Sequence, residues 1–259
     1  MIRFSTFATT LLVAALAAMP AGAQDGQRRL VGALGSTTVI SEPGNYYLAR
    51  DIEVAAGTAI RITASDVTLD LRGFRVAGPG SNSGRGIEIM GASGVRVMNG
   101  TVANFGFAVV VDTSASVVLR DLTIRGRGLA VTAPPPEVGI MIVQSRNTVV
   151  EDNRLYNVGL GIFVRGGMSW GNRIAGNTVT AGMNGLLGIC YNPAPDDPMG
   201  PRGDLIEGNH ISGFPTGIQM SAASGSNILR NNSVAYTMMA MELVNTTNTV
   251  ENNTTVMLP

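Results

Sequence analysis

Along this chain a small residue followed by an aliphatic one recurs eight times: Ala59-Ile60, Gly86-Ile87, Ala108-Val109, Gly139-Ile140, Gly161-Ile162, Gly188-Ile189, Gly217-Ile218 and Ala240-Met241. The aliphatic members are 27, 22, 31, 22, 27, 29 and 23 residues apart. Each pair opens a short alternating run, such as Ile60-Arg61-Ile62 or Ile162-Phe163-Val164, so one side of every run is apolar. No single run can bury that side alone. Repeats of this period bury it by stacking on their neighbours, which predicts a solenoid.

If the signature aliphatics face inward, strict alternation sends Arg61, Glu88, Val110, Met141, Phe163, Cys190, Gln219 and Glu242 outward in one row. The same rule places the preceding Gly/Ala positions outward as well. A further outward row reads Thr63, Met90, Asp112, Val143, Arg165, Asn192, Ser221 and Val244. A second motif follows each signature: a short aliphatic run, then Asn or Asp, then another aliphatic, as in Val150-Glu151-Asp152-Asn153 to Leu155 and Ile174-Ala175-Gly176-Asn177 to Val179. Asn tolerates the left-handed backbone region and bonds its own backbone, so it suits a tight bend between strands. Each coil is therefore expected to carry three strands. Asn153, Asn177, Asn209, Asn232 and Asn253 are expected at equivalent bends, with their amides stacked.

The stretch Pro43-Gly44-Asn45-Tyr46-Tyr47-Leu48 through Thr58-Ala59-Ile60-Arg61-Ile62 to Val67-Thr68-Leu69-Asp70-Leu71, with the stacked Gly-Ile and Gly-Asn motifs after it, resembles the right-handed parallel β-helix proteins of the pectate-lyase-like superfamily. The resemblance covers roughly residues 37 to 256. It implies an all-β, right-handed parallel β-helix of about eight three-strand coils, and it favours the right-handed form where spacing alone leaves other solenoids open. It also implies that function lies on the outer face of the first strand of each coil, between the loops that flank it.

Arg3, the apolar segment Phe7 to Ala18 and the small-x-small site Ala21-Gly22-Ala23 read as a signal peptide over 1–23, cleaved before Gln24. The expected organisation is then an N-terminal cap over 24–38 and the β-helix over 39–259, in a periplasmic or secreted protein without a membrane span. A single Cys, Cys190, excludes an internal disulfide. The net charge of zero, from 18 basic and 18 acidic residues, leaves no basic surface for nucleic acid. All the cations are Arg, which removes Lys-based Schiff-base chemistry.

The middle of the outward face, Val110, Met141, Phe163 and Cys190, is apolar, with Asp112 and Arg165 beside it two coils apart. Two long insertions flank it: Gly126 to Glu137, with three prolines, and Tyr191 to Gly203, with Asp196-Asp197. Asp112, Met141, Phe163, Arg165, Tyr191 and Arg202 are the candidate substrate-binding residues, and Arg165, Asp196 and Asp197 the candidates for catalysis. The polygalacturonase-like carboxylate sets, Gly-His-Gly and Arg-x-Lys are missing, so hydrolysis is poorly supported. A lyase with an Arg base and carboxylates holding Ca²⁺ stays open, as a member of this superfamily would allow. No His/Cys spacing marks a transition-metal site. The leading expectation is an exported protein that binds an acidic polysaccharide, with cleavage of it left open. The rival is a structural or adhesive solenoid whose groove its own loops plug. The bare C-terminal end is expected either to be covered by Val256 to Pro259 or to meet a second copy end to end.

Overall fold

The computed structural model describes residues 27–30, 36–80, 84–127, 137–183 and 185–259, with backbone alone at 27–30. All 24 strands join in parallel register, with no helix among the described residues, and wind into about nine coils. Three ladders run the length of the molecule. Sheet A stacks Thr38–Ile40, Thr58–Ile62, Arg85–Met90, Phe107–Asp112, Val138–Val143, Leu160–Arg165 and Leu187–Asn192. It ends on the second halves of His210–Met220 and Ser233–Leu243. Sheet B carries the short strands that follow each sheet A strand, and sheet C those that return the chain to sheet A.

The signature aliphatics align in one register from Ile60 to Met241, with Ile62 to Leu243 in another. Both rows form the core and are fully buried until the last coil, where Met241 and Leu243 are half-buried. Burying each such side chain contributes roughly 1.5–3 kcal/mol, so the stack supplies what no strand could alone. The Gly/Ala row does not face outward. A Cβ on Gly139 would lie 2.6 Å from Leu155 Cδ2 and 2.7 Å from the Gly161 carbonyl, and those on Gly161 and Gly217 would strike Val179 and Val234. Sheet C turns into sheet A at this position, so two consecutive residues point inward and alternation begins only at the aliphatic. Small residues stand there because sheet C side chains fill the corner.

The expected Asn stack forms at the bend between sheets B and C. Asn153 Nδ2 donates to Asn177 Oδ1 (3.0 Å), Asn177 to Asn209 (3.0 Å), Asn209 to Asn232 (3.0 Å) and Asn232 to Asn253 (2.9 Å). Each backbone N–H from Asn153 to Asn232 also donates to the Oδ1 one coil on. The left-handed conformation belongs to the residue before each rung: Asp152, Gly176, Gly208, Asn231 and Asn252 have φ between 49° and 64°. The dipeptide thus divides the labour, one residue turning the chain and the next satisfying buried backbone groups.

A second polar stack, not anticipated, lines the bend between sheets A and B: Thr148, Asn172, Asp204, Asn227 and Asn248. A left-handed Asn147, Gly171, Gly203 or Ser226 precedes each of the first four. Ser114, Ser145 and Ser169 form a third, accepting from the backbone N–H one coil below.

The expected signal segment lies outside the described residues. Within the expected cap, Gln27–Leu30 is a strand paired in parallel with Gly44–Leu48. Thr254–Met257 pairs with Ser233–Leu243 as a rung of sheet C, so it extends the last coil and does not fold back over it, contrary to the first expectation for that end. The backbone groups of a β-strand reach lateral partners more readily than a chain crossing the open end.

Candidate functional site

The outward rows of sheet A stand in the register that alternation predicts. Arg61, Glu88, Val110, Met141, Phe163, Cys190, Gln219 and Glu242 align coil by coil, and so do Met90, Asp112, Val143, Arg165 and Asn192. Exposure along the first row is uneven. Val110 (4%) and Cys190 (1%) are covered, whereas Met141 and Phe163 between them are partly open. The proline-rich insertion expected to cover this strip lies outside the described residues. Its base is fixed by Glu137, which accepts from Arg127 N (2.9 Å) and Nε (3.2 Å).

Arg165 closes the open stretch. Its guanidinium carbon sits 5.9 Å from the Phe163 ring centroid and its Nε donates to the Pro193 carbonyl at 3.3 Å. No carboxylate pairs with it among the described residues. Asp112 lies on the same row two coils away, roughly 10 Å, and accepts from Thr113 Oγ1. At the far end, Glu88 is fully buried and pairs with both Arg61 and Arg85, a closed charge cluster.

The Asp196-Asp197 loop folds back across two coils. Asp197 Oδ2 accepts from Gly167 N (2.9 Å) and Gln144 Nε2 (3.3 Å), and Oδ1 from Met199 N (3.0 Å). These bonds, the backbone N–H of Met199 first and that of Gly167 second, hold its carboxyl below the usual range. Asp197 is thus an anchor of the loop, with its oxygens already engaged, while Asp196 is exposed. Tyr191 does not line the face: it lies in the inward row, fully buried, between Val164 and Met220. Alternation from outward Cys190 dictates that position. Its hydroxyl lies beside Asp204 without a hydrogen bond of normal length, and burial, then Asp204, pushes its pKa well up.

Arg202 stands on the neighbouring corner, in a row Ser93, Ala115, Arg146, Trp170, Arg202 and Gly225 that bridges successive coils. Trp170, the only Trp of the chain, is 42% exposed between two exposed arginines. A depression of about 290 Å³ is lined by Trp170, Gly171, Arg202 and Gly203. Sequence reasoning missed Arg146 and Trp170. Aligning Ser145, Ser169 and Ser224 as one repeat would have placed the residues after them in a row.

A second depression, of about 280 Å³ on sheet B, includes Glu151, Arg173 and Glu207. Most of its charges are paired: Arg173 bonds Glu151 (3.1 Å) and Glu207 (2.9 Å), and Arg230 bonds Glu207 (2.8 Å), while the exposed Asp152 at its edge has no ion pair among the described residues. Such a half-exposed ion ladder contributes modestly to stability and offers an anionic ligand no unpaired cation.

Residues 61–256 match the family described as periplasmic copper-binding protein (NosD). No curated relative matches the sequence. Among solved structures, the chain is similar to the Dettilon tailspike protein at 16% identity, covering 89% of this chain and 55% of that one, TM-score 0.58. It is similar to the hyperthermoactive exopolygalacturonase from Thermotoga maritima at 14% identity, 82% and 55% coverage, TM-score 0.52. The chain thus spans about half the length of these two structures, and the likeness is one of fold.

The described donors do not fit a copper site built from His, Cys or carboxylate. The sequence holds one His and one Cys. His210 is the exposed first residue of a sheet C strand, whereas Cys190 is on sheet A. Burial, then Glu242, pushes the Cys190 thiol up to about 12, and metals bind the thiolate. No three His, Cys, Asp or Glu side chains converge among the described residues.

Proposed function

The chain belongs to the NosD family, right-handed β-helix proteins described as periplasmic copper-binding, and from that premise we propose that it is an exported protein that binds an acidic polysaccharide along sheet A. One observation carries this reading: Arg165 stands beside the half-open Phe163 and Met141 on the outer face, cationic and without a carboxylate partner among the described residues. A sugar ring has apolar C–H faces that pack on an aromatic, and a uronate adds a carboxylate that an Arg fork can take in two parallel hydrogen bonds. Asp112 and Val143 border the same stretch. Carbohydrate recognition by β-helices is in keeping with the tailspike and exopolygalacturonase that share the fold.

Binding is favoured over cleavage, since Asp197, the better placed of the two loop carboxylates, already accepts from two backbone N–H groups and an amide. The competing reading, a structural solenoid with a covered face, draws on the burial of Val110 and Cys190. A glycan array probed with the mature chain, with EDTA and with Ca²⁺, separates the two. Capture of uronate-containing glycans, lowered about tenfold by Arg165→Ala or Phe163→Ala with unchanged melting, supports binding. Silence across the array favours the structural reading, and absorbance from unsaturated products would add lyase activity.

A further inference from the structure

Arg146, Trp170 and Arg202 occupy one corner of three successive coils, bridged in register and about 4.8 Å apart. Trp170 is 42% exposed, and neither arginine stacks on its ring. Arg146 has no side-chain partner among the described residues. Arg202 donates from Nη1 to Met199 Sδ at 3.7 Å and only feels Asp197 at longer range. The ring is therefore partly exposed between two cations, at a depression that Gly171 and Gly203 also line.

The platform is held from beneath. Ser169 Oγ donates to the Arg165 carbonyl (2.7 Å), and Asn172 N donates to Asp204 Oδ1 (2.8 Å). Gly171 and Gly203 are left-handed, with φ of 66° each. A Cβ on Gly171 would press on Asn147 Oδ1 at 2.8 Å. The backbone on both sides belongs to the polar stacks and is rigid, while an exposed Trp side chain costs solubility and gains nothing for the core. Two flanking cations, neither of them in an ion pair, fit an anionic occupant better than a neutral one.

We infer that Trp170, with Arg146 and Arg202, forms a second subsite that stacks one ring of a carboxylated sugar chain and pairs its carboxylate. This rests on the acidic-polysaccharide reading and extends it from sheet A round the corner. Arg165 and Trp170 are joined by the turn Gly166 to Ser169, closed by the Ser169 N to Gly166 O bond (3.0 Å), so one chain reaches both. The coil spacing is close to the length of one pyranose ring, which lets successive sugars meet successive coils.

The only Trp of the protein is at the site, so its fluorescence reports occupancy directly. The mature chain is titrated with hexagalacturonate, its methyl ester and oligo(dT), following Trp170 emission and, separately, heat. Hexagalacturonate is expected to give a saturable change in emission that salt weakens and that the methyl ester lacks. Arg146→Ala with Arg202→Ala is expected to weaken binding about tenfold, and Trp170→Phe to retain more affinity than Trp170→Ala, at unchanged melting. Heat of binding without any change in emission, and undiminished in these variants, overturns the subsite while leaving sheet A binding intact. A response to oligo(dT) alone also overturns it. Absence of heat with every uronate defeats the polysaccharide reading itself.

Discussion

Asp204 is the one acid in a stack otherwise built of Asn and Thr, and it is 2% exposed. Its Oδ1 accepts from Asn172 N (2.8 Å) and Nδ2 (3.4 Å), as an Asn oxygen would, but its Oδ2, which also accepts from Asn172 Nδ2 (3.2 Å), stands where the other rungs carry a donor. Burial pushes its pKa from 3.8 up to about 6. For an acid raised in the folded state, stability is greatest below the unfolded value and falls as pH rises from about 4 to about 6. Above that the penalty is constant, on the order of 3 kcal/mol. Asp204→Asn restores the missing donor, so it is expected to raise the melting temperature at pH 7 and to flatten the slope between pH 4 and 6. Thermal denaturation across pH 4–8 checks both. By contrast Asn209→Leu removes the acceptor of the Asn177 bonds and the donors to Asn232 Oδ1 and Ile174 O. It should cost about 3 kcal/mol or more in urea unfolding, since buried groups lose their partners. The Asn motif at the second bend was legible because it recurs with fixed flanks. The stack holding Asp204 was not, because Thr148 and Asp204 interrupt its Asn rungs.

At the scale of the strand, alternation foretold which sheet A side chains share a row but misplaced the Gly/Ala position before them. A period of two holds inside a strand and fails at the corner where sheet C hands over to sheet A. Gly161→Val is therefore expected to remove soluble protein, its Cβ meeting the Gly188 carbonyl and Val179, whereas Gly203→Ala meets no atom within 4 Å and costs only left-handed strain, about 1 kcal/mol. Expression and melting of the two variants test this. The candidate site was half legible for the same reason. Met141, Phe163 and Arg165 follow from alternation, while Arg146 and Trp170 sit in bends, where only the register of the stacked serines aligns them. Tyr191 entered the expected binding set through its chemistry, against the alternation that buries it.

Over the whole molecule the coils protect one another except at the last. Met238 (75%), Val256 (54%) and Met257 (64%) are exposed there, and the outer edge of Thr254–Met257 has no further strand among the described residues. An open apolar edge invites another copy. The protein is expected to associate with rising concentration, and Val256→Lys with Met257→Lys to keep it monomeric, as read by light scattering. The same stacking leaves one continuous outer face, and the most direct measurement of what that face is for is isothermal titration of the mature protein with hexagalacturonate beside its neutral methyl ester. Saturable heat with the acid, weakened by salt and by Arg165→Ala, and much smaller heat with the ester, is the predicted result. Equal binding of both, or heat from neither, would contradict recognition of an acidic polysaccharide.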